Sequence, residues 1–109
     1  DESRGAFLGS SKTPPGYGLY FLDEPEAALS PSRQLTLLYE MDQLAHHGSQ
    51  LIVATHSPVL LGLPGARIIS FDGGELHEIA YEETESYQVT ELFINNRERM
   101  LHELLEPRV

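Results

Sequence analysis

The chain contains no cysteine and no tryptophan among its 109 residues. Without cysteine it can form neither disulfide bonds nor thiolate metal sites, which permits the cytosol and leads us to expect a cytoplasmic protein. Its apolar runs are also short, and none approaches the ~20 residues that a membrane-spanning helix needs. We therefore expect no association with a membrane.

Basic residues are scarce as well. Seven Lys and Arg residues stand against 17 Asp and Glu residues, which gives a formal net charge of −10. This charge repels a phosphate backbone, so we expect no direct nucleic-acid binding by this segment. Hydrophobic residues make up 40% of the chain, which indicates a globular core instead of disorder.

Glycine and proline concentrate near the N-terminal end. Residues 1–17 have the composition of turns and loops, and the first confident strand pattern begins at residue 18. The chain begins with Asp1 instead of Met, so we expect it to be part of a longer protein. We divide it into a loop-rich lead-in at 1–17 and a folded part at 18–109.

Two short apolar runs flank a helix pattern. The runs at 19–22 and 51–54 are continuous, which is typical of strands that are buried on both faces, and the first run predicts a strand at 18–23. Between them, Ser30 and Pro31 suit the N-cap and the first position of a helix at 31–47. This strand–helix–strand order predicts two parallel strands in an α/β fold.

The remaining residues predict a β-hairpin and a helix. A third strand pattern at 67–71 runs into Asp72-Gly73-Gly74, a tight-turn signal that leads to a fourth strand within 75–81. An apolar stripe then predicts one long helix at 86–106, which Pro107 ends.

Two carboxylates, Asp23 and Glu24, directly follow the first apolar run. In an α/β sheet, ligands bind beyond the carboxyl ends of the strands. An aspartate there can hold Mg²⁺ through water, and a neighbouring glutamate can orient or deprotonate an attacking water. The alternative is a strand that has an acidic end without a function.

His56 closes the second strand and Ser30 precedes the helix. His56 would lie at the same sheet edge as the carboxylates, where a neutral imidazole can share a hydrogen bond with a terminal phosphate or its attacking water. A simple strand cap is the alternative. Ser30 must lie near the carboxylates because the connection is short. Helix capping explains Ser30, and a role at a partner surface is the other possibility.

These segments resemble a known family. The stretch Leu19-Tyr-Phe-Leu-Asp-Glu-Pro-Glu-Ala-Ala-Leu-Ser-Pro31, followed after one helix by Leu51-Ile-Val-Ala-Thr-His-Ser-Pro58, resembles the ATP-binding cassette (ABC) ATPases. More narrowly, it is similar to the stand-alone AAA-type branch related to DNA-repair and overcoming-lysogenization-defect ATPases. In that family the first block is the Walker B motif with the D-loop, and the second is the switch-histidine loop.

The resemblance implies a fold and a role for each matching residue. Residues 18–109 would be the C-terminal half of an ABC-type P-loop NTPase domain, with parallel buried strands, a β-hairpin and a C-terminal helix. Asp23 would support Mg²⁺ through water, and Glu24 would polarise the hydrolytic water. His56 would sense the γ-phosphate of ATP. Ser30, in the D-loop, would lie beside the bound ATP and face a second protomer.

The resemblance also implies an assembly. The intact enzyme would hydrolyse ATP with Mg²⁺ between the protomers of a head-to-tail homodimer, and closure and opening would drive a conformational change. The Walker A loop is missing, because Gly5–Lys12 lacks the G-x-x-x-x-G-K-[ST] pattern. We expect this loop in an N-terminal half upstream, with Asp1-Glu2-Ser3 as a remnant of the signature motif.

One expectation and two alternatives follow for the segment itself. Without a Walker A loop it should be inactive alone. A half-domain that mediates interactions without turnover is one alternative to the ATPase. A Mg²⁺-dependent phosphoesterase or nuclease of the Toprim type is another, and it needs further acidic residues at strand ends, for which Asp72 is the obvious candidate.

Overall fold

A computed structural model describes residues 18–106. The chain forms two compact units, of which the first ends at Ala66 and the second begins at Arg67. The lead-in expected at 1–17, including the signature remnant expected at 1–3, lies outside the described residues. Within 18–106, no helix is both long enough and apolar enough to cross a membrane.

The first unit is a strand–helix–strand unit. Its main elements are β1 (Leu19–Asp23), α1 (Pro31–His46) and β2 (Gln50–Ala54). The two strands pair in parallel, with Asp23 opposite Ala54, as the sequence predicts. A 3₁₀ turn at Pro25–Ala28 connects β1 to α1, and another at Leu60–Gly62 follows β2.

Helix α1 packs against one face of this two-stranded sheet. Ser30 caps the helix by accepting a hydrogen bond from the backbone N–H of Arg33 at 3.2 Å, and Pro31 occupies the first helical position. Side chains of β1, α1 and the turn after β2 form the buried core: Leu22, Leu37, Met41 and Leu60. The core thus fixes the helix relative to the strand that precedes it.

The opposite face of the sheet is open in the described residues. Leu19 and Phe21 are 54% and 57% exposed, and Ile52 is 47% exposed. The prediction that both strands are buried on both faces is therefore wrong for this unit. Alternate side chains of a strand point to opposite faces, and among the described residues of this unit α1 covers only one of them. Parallel sheets ordinarily carry a covering layer on each face.

The second unit contains a β-hairpin and two helices. Its elements are β3 (Ile68–Ser70), β4 (His77–Ile79), α2 (Glu85–Asn95) and α3 (Arg97–Leu105). The two strands pair antiparallel, which confirms the predicted hairpin. Gly73 and Gly74 adopt φ values of 80° and 84° in the connecting turn, a backbone region that glycine enters without steric cost.

The helix predicted at 86–106 is divided into α2 and α3. Asn96 leaves the helical region with φ −138° and ψ 38°, and its side chain donates to the carbonyl of Leu92 at 3.0 Å. Asparagine competes with helical geometry through such local hydrogen bonds. The prediction of a single continuous helix is therefore wrong. The apolar stripe is not a core either, since neither helix has a buried residue and Val89 and Leu104 are 53% and 66% exposed.

Tyr81 in the second unit has a shifted pKa. Its ring centroid lies 5.0 Å from that of Tyr87, with the rings tilted by 56°. Burial raises the pKa of Tyr81 above its ordinary value of 10.0, and the nearby Tyr87 and Glu82 raise it further. The folded state therefore disfavours the tyrosinate form.

We predict that replacing Tyr81 by Phe reduces the loss of stability at alkaline pH. A raised folded-state pKa contributes stability that is present below the unfolded pKa of about 10 and is lost as pH rises through the folded pKa. Urea unfolding followed by circular dichroism between about pH 9 and pH 11 should thus show a shallower decline for Tyr81→Phe than for the wild type. The exposed Tyr39 supplies the control, because Tyr39→Phe should keep the steep decline. Equal declines for all three proteins would contradict the prediction.

Candidate functional site

Asp23 and Glu24 lie at the carboxyl end of β1, and both residues are exposed. The parallel pairing continues to this point, because the backbone N–H of Glu24 donates to the carbonyl of Ala54 at 2.6 Å. His56 follows two residues after Ala54, where β2 ends. The structure therefore brings Asp23, Glu24 and His56 to one edge of the sheet, which is the location expected from the sequence.

Glu24 and His56 approach each other at this edge. The distance from Glu24 Oε2 to His56 Nδ1 is 3.9 Å, and the two side chains are 56% and 86% exposed, respectively. An ion pair that is this open to solvent contributes little to stability, roughly 0–1 kcal/mol. Both groups consequently remain accessible to a ligand at the sheet edge.

The backbone of Glu24 is in an unusual conformation. With φ 48° and ψ 54°, it is the only residue other than glycine with a positive φ within 18–106. Such a conformation costs about 1–3 kcal/mol, and the residue before a proline ordinarily prefers an extended backbone. Strain of this kind is concentrated at functional sites, because it persists only where the surrounding structure fixes it.

Ser30 lies at the start of α1 and is exposed. Its Oγ accepts the N–H of Arg33 at 3.2 Å and lies 3.3 Å from Ser32 Oγ. Helix capping, one of the two interpretations of this residue, is thus present. A role at a partner surface stays a prediction, and it is compatible with the exposed position.

Two further residues connect the segment after β1 with the segment after β2. Glu26 Oε2 accepts the backbone N–H of His56 at 3.3 Å. Gln34 Oε1 accepts the hydroxyl of Ser57 at 2.6 Å. Sequence reasoning missed both residues, although Glu26 stands two positions after Glu24 and Gln34 lies in the first turn of α1.

The described residues contain no group of three or more His, Asp or Glu side chains that could hold a metal ion. Mg²⁺ ordinarily binds one or two carboxylates and completes its octahedron with water and substrate phosphates. Asp23 suits that role.

The residues at this edge of the sheet lie within a match to a known protein family. A family model described as "AAA domain, putative AbiEii toxin, Type IV TA system" matches residues 6–62, which is more than half of the 109-residue chain. The chain belongs to this AAA domain family. The match includes β1, α1 and β2, so the whole candidate site lies inside the AAA domain, and the residues from Arg67 onward lie outside the match.

The AAA domain family is P-loop ATPase-like, and the α/β architecture with its parallel strand pair confirms the predicted fold class. The family also suggests an ATPase-type function, whereas hydrolysis of ATP by this chain stays a prediction. No curated protein and no solved structure matches the chain. The narrower resemblance to the cassette branch and its DNA-repair relatives stays a prediction. So do the Walker B, D-loop and switch-histidine assignments, although their residues occupy the expected places on β1, before α1 and after β2.

Proposed function

We propose that this chain supplies the hydrolytic edge of a Mg²⁺-dependent ATPase. The observation that carries the proposal is the pair of Glu24 and His56, 3.9 Å apart at the carboxyl ends of two parallel strands within an AAA domain. Ligands of open α/β sheets bind at this edge. The strained backbone of Glu24 supports a functional role, because strain of this kind is concentrated at functional sites.

Each side chain has a chemical task in this proposal. Glu24 accepts a hydrogen bond from the attacking water and orients it, and its carboxylate can take the proton as the water attacks. His56 shares a hydrogen bond with an oxygen of the terminal phosphate. Asp23 holds water of the Mg²⁺ shell, and the ion, when bound, neutralises charge on the phosphates. Asp23 is the last residue of β1 and Glu24 follows it in a left-handed backbone conformation, so the two carboxylates can have separate tasks.

The proposal includes two partners. The phosphate-binding loop would come from the N-terminal half of the same domain, and the open sheet face around Leu19, Phe21 and Ile52 supports a further layer of that kind. A second protomer, head to tail with the first, would face the exposed Ser30. Binding and hydrolysis of ATP between the protomers would then drive a conformational change.

The first test is the coding sequence upstream of Asp1. We expect a G-x-x-x-x-G-K-[ST] loop in the same reading frame, and we expect the full-length protein to release phosphate from ATP with Mg²⁺ but not with EDTA. If no such loop precedes Asp1, the ATPase proposal is wrong. A full-length protein that binds ATP without turnover would favour the interaction half-domain. Magnesium-dependent cleavage of nucleic acid without ATP would favour the Toprim-type alternative.

A further inference from the structure

We propose that Glu26 and Gln34 are positioning residues that attach the loop of His56 to the segment between β1 and α1. The proposal rests on the function proposed above, because the place of His56 matters for turnover only if His56 acts on the nucleotide. Both residues act through this loop. Together they would fix how the switch histidine stands relative to Glu24.

Glu26 makes the first attachment. Its Oε2 accepts the backbone N–H of His56 at 3.3 Å, across 30 positions of sequence. Its other oxygen, Oε1, is buried and has no hydrogen-bond partner among the described residues. A buried carboxylate oxygen without a donor is unfavourable for the fold. Stability alone therefore does not explain Glu26, whereas a role in positioning the backbone of His56 does.

Gln34 makes the second attachment. Its Nε2 donates to the carbonyl of Leu29 at 3.3 Å, and its Oε1 accepts the hydroxyl of Ser57 at 2.6 Å. Ser57 is only 5% exposed, and its Oγ also accepts two backbone N–H groups of the following turn, each at 3.1 Å. One amide thus joins the residue directly before Ser30 to the residue directly after His56.

His56 needs such attachments because its own side chain is held weakly. The imidazole is 86% exposed and lies 3.9 Å from the carboxylate of Glu24. Packing therefore contributes little to its position, and the backbone of the loop determines where the ring stands. A misplacement of about 1 Å in a reacting group can lower a rate about 100-fold. Loosening the loop should accordingly reduce kcat and leave KM nearly unchanged.

The attachment can be tested in this chain without nucleotide. Glu26→Ala removes the acceptor, so amide hydrogen exchange at His56 measured by NMR should become about tenfold faster. Glu26→Gln keeps an acceptor oxygen and should restore the wild-type rate. Glu40→Ala, at an exposed position of α1, is the matched control and should change nothing at His56. Unchanged exchange at His56 in Glu26→Ala would overturn the proposal, whatever the enzymatic result.

The effect on turnover is tested in the full-length protein. We expect Glu26→Ala and Gln34→Ala each to lower kcat about tenfold with KM within about twofold, and Glu26→Gln to turn over like the wild type. If Glu26→Gln is as slow as Glu26→Ala, the negative charge matters instead of the hydrogen bond and the proposal is wrong. If the wild type does not hydrolyse ATP, the proposed function fails, and the exchange measurement alone decides whether the attachment exists.

Discussion

Replacing Glu24 by Gln is expected to lower ATP hydrolysis by the full-length protein about 10²- to 10⁴-fold while ATP binding is retained. Glutamine has the size of glutamate and can still take part in hydrogen bonds, but it cannot accept a proton from the attacking water. The exposed carboxylate at the end of β1 makes no contact on which the core depends, since the buried core consists of other residues. The variant should therefore fold normally and lose only the chemical step.

Phosphate release at saturating Mg²⁺ and ATP measures this loss, and equilibrium binding of labelled ATP measures affinity. Glu40→Gln is the matched control, because it makes the same chemical change at an exposed position of α1. It should hydrolyse ATP at the wild-type rate. Turnover by Glu24→Gln within threefold of the wild type would mean that another group activates the water.

Three acidic residues within four positions should respond differently to the same substitution. Asp23 and Glu24 are exposed at the strand end, whereas Glu26 is partly buried and accepts the backbone N–H of His56. An amide in place of the carboxylate should strongly reduce turnover at Glu24 and be tolerated at Glu26. Asp23→Asn should weaken the effect of Mg²⁺ instead, because the neutral amide lacks the negative charge that attracts the ion with its water shell. Residue type alone does not distinguish these three residues. They differ in backbone geometry and in the hydrogen bonds that they make.

Local patterns predicted the elements of this fold well. Ser30 and Pro31 located the start of α1 because capping is a local interaction, and Gly73 and Gly74 located the hairpin turn because only glycine enters that backbone region freely. The parallel pairing of β1 and β2 followed from the helix between them. The common sheet edge of Asp23, Glu24 and His56 followed from the same reasoning.

Features that depend on tertiary contacts were not predictable in this way. The open face around Phe21 depends on which layers cover the sheet, and an apolar run cannot show how many layers are present. The contacts of Glu26 with His56 and of Gln34 with Ser57 join residues far apart in sequence. The break at Asn96 is a different case, because it arises from a local hydrogen bond of the Asn96 side chain that an apolar periodicity does not reveal.

His56→Ala should lower the kcat of the full-length protein about 10- to 100-fold. A hydrogen bond to a charged group contributes about 1.5–3 kcal/mol, and the proposed bond to the terminal phosphate is of this kind. The imidazole is 86% exposed, so its removal leaves no cavity in the core. We expect the unfolding free energy to stay within about 0.5 kcal/mol of the wild type, as for other surface substitutions.

His47→Ala is the control for this variant, because His47 is also exposed and its ring bonds to the carbonyl of Gln43 in the last turn of α1. It should not change kcat. A double-mutant cycle with Glu24→Gln then tests whether the two residues act on the same step. Groups that act as a unit give a combined loss well below the product of the single losses. Independent losses that multiply would show that the 3.9 Å approach of Glu24 and His56 has no part in the chemistry.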